Sequence, residues 1–372
     1  MKVFETIVVG GGIIGATTAA MLSNRGVEVA LLDGATCAGQ GGSAYSGGIV
    51  RLYDADPVMM ALGRHASHVR QHSRVGQVFD RSIRRTGVLY RAKAEEEEVI
   101  RAAMASVEGT RFLTASELKN LTDFVKPSAD KIDLFETQGG HSDVRFATHS
   151  MAHMVREQGL VIEHAPVLRL EQTDQGLAEV HLKSGATLHA RCVIIAAGPW
   201  TGSLIKDLLI EARSIPLGLM ETPQAPHLPI IDMTVGTYVV PFGGKVFGIG
   251  CGPRHSADLP EDLPSTGPAH VADSLTKLAA LTCTDTEATS LGVLNGVDAY
   301  TPDARPVIGY RTPSSPFYVI TGMAGLGFKV APAIADIAAT EIHSRLRDLN
   351  TPSHALAGHF HAARFDAVPV TA

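Results

Sequence analysis

Three glycines and one acid near the amino terminus have the types and the spacing to hold a dinucleotide. Gly10, Gly12 and Gly15 form G-x-G-x-x-G, and Asp33 follows 18 residues after Gly15. Gly10 permits a tight turn out of a strand, Gly12 lets a pyrophosphate approach bare backbone, and Gly15 lets the next helix pack on the sheet. The pyrophosphate would rest on the helix start at Ile13 and Ile14, where unpaired N–H groups and the helix dipole favour an anion. Asp33 can accept hydrogen bonds from both hydroxyls of an adenosine ribose. The setting gives the motif its force. Residues 6–10 read as an apolar strand leading into it, and residues 27–32 as a second strand ending at the acid. The alternative is a plain βαβ unit with a glycine-rich turn.

The bulk of the chain must position this unit. Its 372 residues imply two domains, or one with a large insertion. Apolar residues make up 45%, enough for a substantial core, and the net charge of −6 with no basic block gives no sign of nucleic-acid binding. Arg81, Arg84 and Arg85 read as a solvated face. Cys37, Cys192, Cys251 and Cys283 are widely spaced, so neither a disulfide framework nor a zinc site is indicated. His65, His68 and His72 fall on one helix face without a carboxylate or cysteine at ligand spacing, and no metal is expected. A strand beginning by residue 4 leaves no room for a signal peptide, and no apolar run reaches the ~18 residues of a transmembrane segment. The expected location is the cytoplasm.

Along the chain, residues 34–50 are rich in glycine and serine. Directly after a nucleotide-binding acid, such a loop reads as a backbone cradle, supplied by Gly34, Gly42, Ser43, Ser46, Gly47 and Gly48. Helices are expected over 56–75, 95–107, 148–158, 266–282 and 331–346. The four glutamates that open the second of these complement its dipole. Strands are expected at 83–91, 160–164, 166–172, 177–182, 187–189, 192–198 and 317–321. Residues 211–260 alternate as antiparallel strands do, with a hairpin over 236–250. The closing 26 residues are expected on the surface.

Four segments in order carry a family resemblance: residues 8–33; Ala196-Ala197-Gly198-Pro199-Trp200-Thr201; Tyr300-Thr301-Pro302-Asp303-Ala304-Arg305-Pro306; and Thr321-Gly322-Met323-Ala324-Gly325-Leu326-Gly327-Phe328-Lys329. The chain resembles the FAD-dependent amino-acid and amine oxidoreductases, the superfamily of D-amino-acid oxidase, glycine oxidase and sarcosine oxidase. It is most similar to the monomeric sarcosine-oxidase-like members. The resemblance implies an α/β fold: a Rossmann-like, glutathione-reductase-type FAD domain (1–80, 145–210, 290–372) with a largely antiparallel-sheet substrate domain (81–144, 211–289). It adds Val167, Ala197, Gly198, Trp200, Gly296, Asp303, Gly322, Gly325, Leu326, Gly327, Phe328 and Lys329 to the cofactor contacts. The late glycine loop is implied to lie at a helix start beside the flavin.

Arg51 and Lys329 stand where that family holds a substrate carboxylate: a guanidinium offers a two-donor fork and an ammonium a point charge. At a helix start a cation opposes the dipole, so a substrate anion is the better reason for Lys329. Tyr45, Tyr238 and His255 are further candidate partners for the amine or carboxylate. Three departures matter. No cysteine stands near Gly296, where the family often tethers its flavin, so FAD is expected to be non-covalent. Gly248 replaces the lysine that helps oxygen accept electrons, with Lys245 displaced to the hairpin turn. Ile49 replaces a second arginine. The implied reaction is hydride transfer from the α carbon of an amino acid or carboxylated amine to flavin N5. The resulting imine is hydrolysed or released, and oxygen, a quinone or a carrier protein takes the electrons. Two alternatives remain: a biosynthetic tailoring flavoenzyme acting on a modified or carrier-bound amine, and an FAD electron-transfer subunit of a larger complex.

Overall fold

The computed structural model describes residues 2–282 and 287–365. Two sheets organise it. Among the described residues the first has eight strands, with Val3–Val9 between Thr187–Ile195 and Val29–Leu32. Both pairings are parallel, and so are those to Phe317–Thr321 and Leu160–Ile162 at the flanks. These strands are near-continuous apolar runs, as a sheet covered on both faces requires. The helix Ile13–Asn24 packs against Gly327–Leu346 and Val144–Arg156, and its residues from Ile13 to Ser23 are all buried. Its small residues allow that close approach. The opposite face is covered by an antiparallel excursion, Val167–Gln172 and Ala178–Leu182, which returns into the long strand Thr187–Ile195.

The second sheet has nine strands among the described residues and is antiparallel except where Ile230–Asp232 runs parallel to Val88–Lys93. At its heart is a buried charge cluster. Arg91 is 1% exposed, its Nε 2.6 Å from Asp133 and its Nη1 3.6 Å from Asp232, and Lys131 approaches Asp232 at 3.3 Å. The hairpin expected over 236–250 is formed by Thr237–Gly243 and Val246–Gly250.

The structure departs from several sequence expectations. The helix expected over 331–346 begins four residues earlier, at Gly327, and carries Pro332 within its second turn. Proline reads as a helix start, but here it only removes one rung of the ladder. The helix expected from 148 begins at Val144, capped by the Asp143 carboxylate on the Phe146 N–H. The stretch 56–75 contains two helices, Pro57–His72 and Arg74–Asp80, separated by Ser73, whose hydroxyl caps the second. The strands expected at 187–189 and 192–198 are one strand. Lys131–Glu136, Val307–Tyr310 and the twelve-residue strand Thr289–Tyr300 escaped notice. The last pairs along Glu211–Glu221 in the second sheet, so the domain boundary expected at 290 falls inside it. The carboxy-terminal stretch is not wholly superficial: Phe360 is fully buried in the core beneath the first sheet. Cys283 lies outside the described residues.

Candidate active site

The carboxyl ends of three neighbouring parallel strands open on one cavity. Val9 pairs with Leu32 on one side and Ile195 on the other, so Gly10, Asp33 and Ala196 leave the sheet at one level. That is where open α/β sheets bind their ligands. The cavity measures about 1200 Å³. Pockets for single small molecules run to roughly 1,000 Å³, so this one has room for a dinucleotide and a substrate together.

At the nucleotide end, Gly10 has φ +110°, and a Cβ there would overlap the Ala196 carbonyl oxygen. Gly15 faces inward on the Gly10 carbonyl rather than the cavity, so its role is to seat the helix. Asp33 accepts from the Gly11 N–H at 2.6 Å and the Ala35 N–H at 2.8 Å. Each oxygen keeps a second acceptor position for a ribose hydroxyl. Burial raises its pKa. The glycine-rich loop closes over this end and contains a short helix, Gly41–Tyr45. Ser43 accepts from the Ile13 N–H at 2.9 Å, tying the loop to the helix start. Trp200 packs on Gly41 and donates its Nε1–H to Glu261 at 2.7 Å. Every expected cofactor contact faces the cavity except Gly15 and Asp303. Asp303 points elsewhere: Arg364 holds both its oxygens, at 2.8 and 3.1 Å, so it fastens the carboxy-terminal segment instead.

At the other end, Arg51 and Lys329 both line the cavity. The structure supplies an anion for Lys329 that sequence reasoning missed. Its Nζ, 4% exposed, is 2.7 Å from Asp54 Oδ2, and Asp54 also lies 3.9 Å from Arg51 Nη2. The cation at the helix start is therefore explained by an internal partner, which corrects the inference that only a substrate would justify it. Burial and the neighbouring Arg51 hold the ammonium down to about 8, against the opposing pull of Asp54. Arg51 differs: its Nη1 is buried and has no hydrogen-bond partner among the described residues, while its guanidinium lies 5.4 Å from the Tyr90 ring centroid. The segment that carries it is pinned by Glu136, which accepts from the Leu52 and Tyr53 N–H groups at 2.6 and 3.0 Å.

Tyr45 and Tyr238 line the cavity, and burial pushes the Tyr238 phenol up to about 12, so it is a neutral donor. His255 does not line it; its neighbour Arg254 does. Tyr300 and Asp298 also line it, and neither was singled out as a site residue. Gly248 packs against Leu217 and Phe242, away from the cavity. Among the described residues the cavity-lining lysines are Lys183 and Lys329, and no cysteine lines it. Of the three histidines considered for a metal, His65 pairs with Asp336 at 3.1 Å, and the His68 and His72 rings stack at 4.3 Å.

Comparison with known proteins agrees with this geometry. Residues 5–341 match the family described as FAD dependent oxidoreductase (DAO), and the chain belongs to that family. Curated relatives include the 4-methylaminobutanoate oxidase (formaldehyde-forming) of Paenarthrobacter nicotinovorans, 27% identical over 89% of this chain and 42% of its own length. Another is the glycine oxidase of Bacillus licheniformis, 29% identical over 58% of this chain and 60% of its own. The chain thus spans about half the length of these two relatives. L-proline dehydrogenase from P. horikoshii shares the fold, with a TM-score of 0.84 at 19% identity and 98% coverage of both chains. No helix among the described residues is long and apolar enough to cross a membrane.

The cavity suits FAD. Its floor is bare backbone at Gly10 and Gly12, Asp33 keeps acceptor positions for a ribose, and the loop 322–326 leads into the start of Gly327–Leu346 on the wall of the same cavity.

Proposed function

We propose that the protein oxidises an amino acid, or a primary or secondary amine bearing a carboxylate, at the carbon next to nitrogen. The product is an imine that is hydrolysed or released. The observation that carries this reading is Arg51, whose buried Nη1 has no hydrogen-bond partner among the described residues, on the wall of a cavity that also holds the dinucleotide cradle. A buried guanidinium donor without an acceptor is costly and is satisfied by a ligand anion.

In this reading the chain's own residues bind, orient and exclude water. Asp33 holds the adenosine ribose. The helix start at Ile13 and Ile14, where the Ile13 N–H is taken by Ser43 rather than free, and the loop 34–50 hold the pyrophosphate, without a covalent link. FAD, when bound, supplies the acceptor for a hydride from the substrate's α carbon. Arg51 grips the carboxylate and fixes the C–H bond for transfer, the proximity contribution to rate. Lys329 adds positive charge, tempered by Asp54. Tyr45 and Tyr238 offer hydroxyls to the amine or carboxylate. Segments 1–80 and 145–210, with the loop and helix from 322, chiefly serve the cofactor, while 81–144 and 211–300 chiefly shape the substrate end, to which Tyr45, Arg51 and Lys329 also contribute. The electrons pass to oxygen, a quinone or a carrier protein.

The test is an anaerobic spectral titration of the flavin-loaded protein with amino acids, N-methyl amino acids, cyclic imino acids and 4-methylaminobutanoate. Bleaching near 450 nm by a carboxylated amine supports the reading, and the rate of recolouring in air separates oxidase from dehydrogenase. Oxidised flavin that no such compound bleaches defeats the reading for free substrates and turns attention to larger or carrier-bound amines.

A further inference from the structure

One carboxylate on the cavity wall has no partner of opposite charge among the described residues and no part in this account. Asp298 lies on the long strand Thr289–Tyr300, on the same face as Gly296 and Tyr300, and all three line the cavity. Its Oδ2 accepts from the Gly325 N–H at 2.8 Å and its Oδ1 from the Ala299 N–H at 2.8 Å. Among the described residues no lysine, arginine or histidine forms an ion pair with it. A Cβ on Gly42 would stand 3.6 Å from its Cγ, so the cradle loop crosses close above it.

The other acids on this wall have assignments: Asp33 at the ribose end and Glu261 with the Trp200 indole. The two Asp298 oxygens have about four acceptor positions and use two. Asp298 is half-buried on this wall, and a carboxylate in a partly desolvated cavity without a counter-ion is stabilised when a cation or donor arrives to meet it.

We propose that Asp298 recognises the substrate's amino group, accepting its N–H hydrogen bonds while Arg51 takes the carboxylate from another wall of the same cavity. The inference rests on the amine-oxidising reading above and names the residue that would select amines over other carboxylic acids. Burial also pushes the acid up to about 6, the direction expected of a carboxylate waiting for a partner. The arrangement disfavours a second carboxylate near the nitrogen, because like charges would meet there.

The experiment compares ligands with and without nitrogen on the FAD-loaded wild type and Asp298→Asn. Asparagine keeps the side-chain volume and an acceptor for the Gly325 N–H. The amine probes are N-methylglycine, L-proline and 4-methylaminobutanoate. Their counterparts with the nitrogen replaced by carbon are butanoate, cyclopentanecarboxylate and hexanoate. Anaerobic stopped-flow gives the amine's Kd from the concentration dependence of flavin reduction, and perturbation of the oxidised flavin spectrum gives the acid's.

The proposal expects D298N to weaken amine binding by about 10- to 150-fold, the range for a hydrogen bond to a charged group. Binding of the nitrogen-free acid should stay within about twofold. Equal weakening of both ligands, or of neither, overturns the proposal and leaves the amine-oxidising reading intact. If no amine acts on the wild type, that reading falls and takes this inference with it. Loss of FAD from both D298N and D298A assigns the residue to holding the loop at Gly325 and overturns the proposal.

Discussion

Replacing Asp54 by asparagine should destabilise the protein strongly in mild acid and hardly at all in mild base. Lys329 is 4% exposed and 2.7 Å from Asp54, and its ammonium titrates at about 8. An adjacent opposite charge moves a pKa by about 1–3 units, so without Asp54 the ammonium titrates lower by that amount. Relative to the variant, the wild-type lysine therefore has the raised pKa. Its advantage is present at low pH and lost as pH rises through about 8. At about 1.4 kcal/mol per pH unit below that value, the ionic contribution is about 1.0–1.4 kcal/mol at pH 7 and about 1.3–2.7 kcal/mol at pH 6, and falls below about 0.1 kcal/mol at pH 9. The lysine can discard its proton, so the loss stays below the roughly 3–5 kcal/mol of a buried pair that cannot. Arg51, 3.9 Å from the same carboxylate, adds only an offset common to the three pH values. Urea unfolding of both FAD-saturated proteins at pH 6, 7 and 9 measures this. A stability difference equal at pH 6 and 9, or larger at 9, would refute the claim that Asp54 holds the lysine proton.

Three further outcomes are expected. Arg51→Gln should keep FAD but raise the Kd for a carboxylated amine about 10- to 150-fold in anaerobic titrations; unchanged affinity would remove Arg51 from the substrate site. Acid precipitation should release all the flavin into the supernatant, because no cysteine among the described residues lines the cavity; colour retained in the pellet would reveal a covalent link. Asp232→Ala should cost about 3–5 kcal/mol in denaturation midpoint analysis, since it strands Lys131 and takes from Arg91 the second of its two carboxylates; a loss under about 1 kcal/mol would show that water reaches the cluster.

Most residues of the cavity wall were legible in the sequence, at both ends, but their partners at the Arg51 end were not. Gly10 to Asp33 is one βαβ unit, so its contacts follow from neighbours in the chain. The substrate end is assembled from afar. Lys329 meets Asp54 across 275 positions, and Glu136 pins Leu52 across 84. No local pattern announces such pairs. The sequence points to His255 where Arg254 faces the cavity, because a shift of one residue in an irregular stretch exchanges which side chain points inward. Asp303 belongs to a recognisable motif, yet its oxygens are taken by Arg364 from the carboxy-terminal segment. The strand Thr289–Tyr300 escaped notice because Gly292, Asn295 and Gly296 interrupt its β-propensity. With it went the alternation that brings Asp298 and Tyr300 to the cavity.

The charges on the cavity wall account for one another once those distant pairs are drawn. Lys329 has Asp54, Glu261 has the Trp200 indole, and Asp33 stands at the nucleotide end. Arg254 is exposed and hydrated. Lys183 is likewise exposed. Among the described residues two groups of opposite sign are left over: the buried Arg51 Nη1 donor and the half-buried Asp298 carboxylate. A site for a simple amine has no use for the unpaired arginine donor, and a site for a simple carboxylic acid would be harmed by the aspartate without a counter-ion. A ligand carrying both a carboxylate and a nitrogen satisfies each without leaving the other stranded. That complementarity, rather than the family resemblance alone, is the physical argument for an amino acid or carboxylated amine as the substrate.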